Sequence, residues 1–205
     1  MHIPKTWFLI FCMCIISAAS CTDPTVNGTS LKTHQYDTFN FTDHSGRSLP
    51  NLNSLGSGAL VTFLFTQCTD VCPITVHKIR KALQLSDHPE MPVIVFSVDP
   101  EGDNPIAIQK FYTKWDLDKN WYFVGGEREN LEKVWKQFYV SPIRSGNSNT
   151  KDRLSDQFTR KYKVTHTAPV FVLDPYGIAR VVHSRVDKED DLSQDINIIM
   201  KLYRR

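Results

Sequence analysis

Two cysteines four residues apart, in Cys68-Thr69-Asp70-Val71-Cys72-Pro73, are the side chains of this chain best placed to do chemistry. An apolar run ends just before them at Phe65, and Pro73 suits the first turn of a helix, so the thiols stand at a strand-to-helix junction. There the spacing lets both sulfurs face one side of the helix start, close enough to hold one ion or to close a disulfide. A thiolate at a helix N-terminus is favoured by the helix dipole and by unpaired N–H groups, with Asp70 set against it. Soft thiolates select Cu(I) and also bind Zn(II); an added imidazole brings in Cu(II). Two sulfurs alone leave a redox couple, a metal clamp and a structural staple all open.

Seven histidines could supply the imidazole. His2 belongs to the leader, His34 and His44 to a tether and a turn, and His88 to the polar link Ser86-Asp87-His88-Pro89; these read as solvated surface groups. His77 lies five residues after Cys72 on the same helix, rotated about 140° away at 100° per residue. His183 sits on an outer hairpin strand. His166 is the exception, because Val164-Thr165-His166-Thr167-Ala168-Pro169 leads directly into a core strand. Position alone allows it to be a metal ligand or a hydrogen-bonded structural histidine.

The chain has 205 residues, 41% hydrophobic and 22% charged, which suits one globular domain with a sizeable core. Its net charge is +2, with one of the positive charges, Lys5, in the leader, too balanced for a nucleic-acid partner. Residues 1–20 read as a signal peptide: Lys5 precedes an apolar run from Trp7 to Ala19, and Ser17-Ala18-Ala19-Ser20 precede Cys21. The run is roughly a dozen residues, against about 20 for a bilayer span. Small residues before Cys21 resemble a bacterial lipobox, which makes Cys21 the expected lipidation site and places the protein outside the cytoplasm on a bacterial membrane. A soluble secreted form and an uncleaved anchor are the alternatives. Cys12 and Cys14 leave with the leader, so Cys68 and Cys72 are the only thiols of the domain body, a local pair rather than a disulfide framework.

Residues 21–35 read as a lipidated or flexible tether, polar over Thr22 to Thr33, and 36–205 as the domain. Phe39-Asn40-Phe41-Thr42-Asp43 alternates into a turn at His44-Ser45-Gly46. Ala59 to Phe65 and Val93 to Val98 are near-continuous apolar runs, as in central strands covered on both faces. Helices are expected after Pro73, over Ile108, Phe111, Tyr112 and Trp115, and over Leu131, Val134, Trp135 and Phe138, with a short strand at Trp121 to Val124. Pro169 to Leu173 and Arg180 to Val186 flank Asp174-Pro175-Tyr176-Gly177 as a hairpin, and Asp190 or Asp191 caps a last helix. Ser141 to Lys163 reads as an interruption, with a flexible loop at Ser145 to Thr150 and a charged segment after it. The alternation predicts an α/β fold of thioredoxin-like type: a mostly parallel central sheet, an N-terminal and a C-terminal antiparallel hairpin, and helices on both faces. A cis bond at Ala168–Pro169 is conceivable beside such a thiol pair.

Phe63 to Pro73, then Phe96-Ser97-Val98-Asp99-Pro100-Glu101-Gly102-Asp103-Asn104-Pro105, then His166 before Leu173-Asp174-Pro175-Tyr176-Gly177, together resemble the Sco/SenC family of copper proteins. The resemblance covers residues 37 to 203 in order. It implies a membrane-anchored, thioredoxin-like copper metallochaperone that binds one copper, Cu(I) or Cu(II), through Cys68, Cys72 and His166. It further implies assistance in assembling the copper A centre of cytochrome c oxidase. The partners expected are the oxidase subunit that bears the copper, and a thioredoxin-like reductant or a copper donor. Asp99 matches an acidic position near the family's site and is given a supporting role, its alternative being to cap the turn before the next helix.

Oxidation to a Cys68–Cys72 disulfide would remove both sulfur ligands, so redox state would gate metal binding. An enzyme is the competing reading. A thiol–disulfide oxidoreductase would use the pair directly, although three intervening residues depart from the common two. A peroxiredoxin-like peroxidase is suggested by Thr69-Asp70-Val71-Cys72-Pro73, but Thr66 stands where those enzymes carry a proline. A structural disulfide in a plain binding module completes the set.

Overall fold

Three apolar segments form the parallel centre of the sheet in the computed structural model, which describes residues 25–35, 41–51, 56–146 and 162–203. They are β2 (Ala59–Leu64), β3 (Val93–Ser97) and β4 (Trp121–Val124), and every residue of β2 and β3 is buried. Helix α1 (Val71–Leu85) joins the first two and α2 (Pro105–Trp115) the next two. After α3 (Arg128–Gln137) the chain makes two short strands, β5 (Ile143–Gly146) and β6 (Tyr162–Thr165). The hairpin β7 (Val170–Leu173) and β8 (Ile178–His183) and the helix α4 (Glu189–Leu202) follow, and β1 (Thr29–Gln35) opens the described chain.

The main sheet runs β1-β8-β7-β2-β3-β4. Strands β2, β3 and β4 are parallel, whereas β7, β8 and β1 add on antiparallel, so the sheet is mixed around a parallel core. Two right-handed crossovers in the same direction put α1 and α2 on one face. On that face Phe111 of α2 meets Phe123 of β4, and α4 packs along α1. The other face carries α3, whose end residue Phe138 packs on Phe63 and Phe171. This is the thioredoxin-like fold, with helices on both faces.

The helices start and stop for local reasons. Val76, Ile79, Ala82 and Leu83 of α1 are buried at helical spacing. Asn104 caps α2 by accepting from the N–H of Ala107 at 2.9 Å, with Pro105 at the first helical position. Helix α4 begins after Lys188 with no side-chain cap, so Asp190 and Asp191 sit in its first turn instead and favour the positive end of the dipole. Gly58 is held at φ +67°, and a Cβ there would lie 2.7 Å from the Leu173 carbonyl, so the entry to β2 admits no larger residue.

Several expectations change. The segment read as a tether, 21–35, contains the whole of β1, which pairs antiparallel with β8. What fastens it is hydrogen bonding: the N–H groups of Asn27 and Gly28 each donate to the Asp195 carboxylate at 2.8 Å. The interruption over Ser141 to Lys163 holds the antiparallel ribbon β5–β6; the rest of its loop, 147–161, lies outside the described residues. The opening hairpin is reduced, among the described residues, to one bridge between Thr42 and Ser48 around the Asp43 turn. No described peptide bond is cis, so Ala168–Pro169 is trans. The leader over 1–20, Cys21 and residues 22–24 lie outside the described residues. Among the described residues no helix is long and apolar enough to cross a membrane.

Candidate metal centre

Sheet register explains why residues 94 apart in sequence meet. Because β2 and β7 are antiparallel, with Thr62 opposite Val170, the chain leaving β2 toward Cys68 and the chain entering β7 from His166 share one end of the sheet. The loop after β3 reaches the same end, since Leu64 lies opposite Ser97. This is the carboxyl end of the parallel strands, where open α/β sheets place their sites.

Cys68 lies in the turn before α1 and is half-buried; Cys72 is the second residue of the helix and has no exposure. The two sulfurs therefore do not both ride on the helix. Instead the Cys72 N–H donates to the Cys68 sulfur at 3.4 Å, satisfying one of the helix's unpaired first-turn donors, while the N-cap residue Asp70 makes no side-chain cap bond. His166 Nε2 lies 3.9 Å from the Cys72 sulfur. Its Nδ1 donates to the Thr167 carbonyl at 2.6 Å, which leaves Nε2 as the ring nitrogen turned toward the thiols. The Phe65 ring meets the imidazole edge to face, with centroids 5.5 Å apart, and fixes its plane.

The thiols are unequal. The Cys72 thiol beside it is the strongest influence on Cys68, followed by partial burial, which acts the other way. His166 and the main-chain N–H groups of Cys72 and Asp70 add further support for the thiolate, and Cys68 is pushed down to about 4. Asp70 thus favours the thiolate through its main chain rather than opposing it. The same pairing, together with burial, drives the Cys72 thiol far up. Cys68 is the half-buried thiolate and Cys72 the buried thiol.

A peroxidase attacking through Cys72 would need the reverse assignment. For a metal, the donor set fits: two donors on one ion at about 2.3 Å for sulfur and about 2.0 Å for imidazole stand about 3.5 Å apart at a tetrahedral angle. The observed 3.9 Å lies a few tenths of an ångström beyond that. Among the described residues no three His, Cys, Asp or Glu side chains are already gathered around one point, so an ion would have to draw Cys68, Cys72 and His166 inward. Cys68 and the imidazole line a cleft of about 360 Å³ between Gln67–Val71 and Tyr162–His166, with Cys72 buried behind them.

The remaining histidines stay away from the sulfurs. His77 is exposed on α1. His183 is buried and paired with Asp195 at 2.9 Å, and its strand β8 is not outermost, because β1 pairs along its other side. His44 is partly buried against Tyr112, with centroids 4.4 Å apart, rather than solvated. His88 is partly buried in its link, and the side chain of His34 lies outside the described residues. Asp99 is buried beside the site; its carbonyl accepts from the N–H groups of Gly102 and Asp103, and its carboxylate accepts from the Tyr162 hydroxyl at 2.8 Å. Tyr162 is the neighbour missed in the sequence; its signal was the alternation of Tyr162-Lys163-Val164-Thr165 in a segment dominated by charge.

The SCO1/SenC family model matches residues 27–201 of this chain. The SCO1 protein homolog of Bacillus subtilis is 30% identical over 80% of this chain and 81% of its own length. Among solved structures, copper-bound ScoI of Bradyrhizobium japonicum is 25% identical, with a TM-score of 0.63 over 83% of this chain and 99% of that one. BsSco, in which a disulfide switch was identified and which is placed in the Sco family of cytochrome c oxidase assembly proteins, is 24% identical. Its TM-score is 0.61 over 85% of this chain and 98% of that one. The chain spans only 57% and 53% of the length of the zebrafish and human mitochondrial relatives it matches.

Proposed function

The chain belongs to the SCO1/SenC family, and on that premise we propose that it is a copper metallochaperone that carries one copper ion on Cys68, Cys72 and His166. The observation that carries this reading is the His166 Nε2 turned toward the buried Cys72 sulfur at 3.9 Å, with Cys68 and His166 on the same cleft. Copper is cargo here. Cys68 and His166 line the cleft, so a recipient's ligands can reach those two donors first, with Cys72 behind them. The recipient proposed is the copper-bearing subunit of cytochrome c oxidase, in keeping with the assembly role given to BsSco. The lipid-bearing residue proposed is Cys21, with the domain outside the cytoplasm on a bacterial membrane and a thioredoxin-like reductant or a copper donor as second partner.

The inequality of the thiols favours thiol–disulfide exchange as a second reading at the same site. The Cys68 thiolate attacks a partner's disulfide, one partner sulfur leaves as thiolate, and a mixed disulfide forms. The Cys72 sulfur, once its proton is lost, then attacks Cys68 and releases the second partner thiolate. The pair is oxidised by two electrons and the partner reduced by two. The same oxidation removes two copper donors, which makes the disulfide a gate on copper binding.

Equilibrium dialysis against copper tests this reading. Reduced protein should hold close to one copper per chain, and protein oxidised to the Cys68–Cys72 disulfide should hold almost none. Equal loading of both forms would overturn it.

A further inference from the structure

The Cys68 side and the His166 side of the cleft are joined underneath by a line of buried polar groups. Thr66, two residues before Cys68, donates its N–H and its hydroxyl to Asp103 Oδ1 at 2.9 and 2.8 Å. The other oxygen of Asp103 accepts from the Ser97 hydroxyl at 2.6 Å. That hydroxyl in turn accepts from the N–H of Asp99 at 3.0 Å, and the Asp99 carboxylate accepts from the Tyr162 hydroxyl at 2.8 Å. Ser97, Asp99 and Asp103 are each at most 2% exposed. Hydrogen bonds in such surroundings are strong, and their loss leaves buried groups unsatisfied.

Tyr162 is where this line reaches the histidine. It lies four residues before His166 on β6, whose strand partner is β5, a ribbon separate from the main sheet. Something other than the sheet must hold that ribbon at the cleft. The Arg144 guanidinium of β5 lies 3.5 Å above the centroid of the Tyr162 ring and pairs with Glu101 at 3.3 Å. Glu101 is held in turn by Arg128 at 2.7 Å. Both attachments reach the short loop after β3, one through Asp99 and the other through Glu101.

We propose that Tyr162 is a positioning residue for the metal site. Its hydroxyl on Asp99 and its ring under Arg144 latch β6 to the loop after β3, and so hold the His166 imidazole against the thiols. The inference rests on the copper reading for its consequence and on the metal-free protein for its geometry, and the two are tested separately. It concerns Cu(II) most, because the imidazole is the ligand the latch controls; Cu(I) is served by the two sulfurs. Outer partners that orient a metal ligand characteristically contribute about 10- to 100-fold in affinity.

The test compares wild type, Tyr162→Phe, Arg144→Lys and His166→Ala. In the reduced, metal-free protein, amide exchange over Lys163–Thr165 should quicken at least severalfold in Tyr162→Phe while exchange in β2 and β3 stays unchanged. With Cu(II), Tyr162→Phe should bind about tenfold more weakly or worse, with a shifted sulfur-to-copper absorption band, and Arg144→Lys should follow in the same direction. Unchanged exchange in β6, or a wild-type band and affinity in Tyr162→Phe, would overturn the latch. If wild type and His166→Ala both fail to bind copper, the copper reading falls while the exchange result still decides the latch.

Discussion

At the scale of single residues, the site works by making two chemically identical side chains unlike each other. Cys68 stays half-buried in a turn and receives a first-turn N–H of the helix, that of Cys72, whereas the Cys72 side chain is sealed in the core beside His166. The thiolate is favoured at Cys68 down to about pH 4, so its charge is present throughout the neutral range. Alkylation at Cys68 should therefore proceed at a rate that is nearly flat between pH 5 and 8, read by mass spectrometry of the labelled peptide, with Cys72 left unmodified. An ordinary thiol would show about a tenfold rise per pH unit in that range. A Cys68 rate that climbs in that way would contradict the assignment.

At the scale of elements, the decisive features are the ones that bring distant chain segments to one end of the sheet. The strands β2, β3 and β7, the helix α1 and the pairing of both thiols with His166 could be read from continuous apolar runs, helical spacing and a motif resemblance. β1, β5 and β6 could not, because they are short and polar and owe their place to tertiary partners. Asp195 is one such partner. It lies 168 residues from Asn27, and no local pattern announces that it takes the N–H groups of Asn27 and Gly28 and the imidazole of His183. Burial alone would raise its pKa, but the bonds from His183, Asn27 and Gly28 outweigh burial and hold it below the ordinary carboxylate value. Its stabilisation is thus complete above the unfolded value near 4 and is lost as pH falls through the lower folded value. Asp195→Ala should cost about 1–3 kcal/mol at pH 7 in urea unfolding, as expected for buried donors left unsatisfied, and should be less sensitive than wild type to acid below pH 4. A loss under 1 kcal/mol would mean that β1 is held by something else.

At the scale of the whole molecule, a parallel core with antiparallel additions on one side gives a rigid floor, and every group of the site hangs from its carboxyl end. Phe63, Phe96, Phe138 and Phe171 interlock on the α3 face of that floor, directly below the loops. The near-neutral charge fits a small inorganic cargo and a protein recipient better than a polyanion. The central claim is that this frame brings three donors, two of them sulfur, onto one copper. It is tested most directly by titrating the reduced chain with Cu(II), wild type against His166→Ala, while following visible absorption. The account predicts one copper per wild-type chain with an intense sulfur-to-copper band. In a still-folded His166→Ala, the band should be lost and affinity should fall at least tenfold. Identical bands and affinities in the two proteins would contradict it.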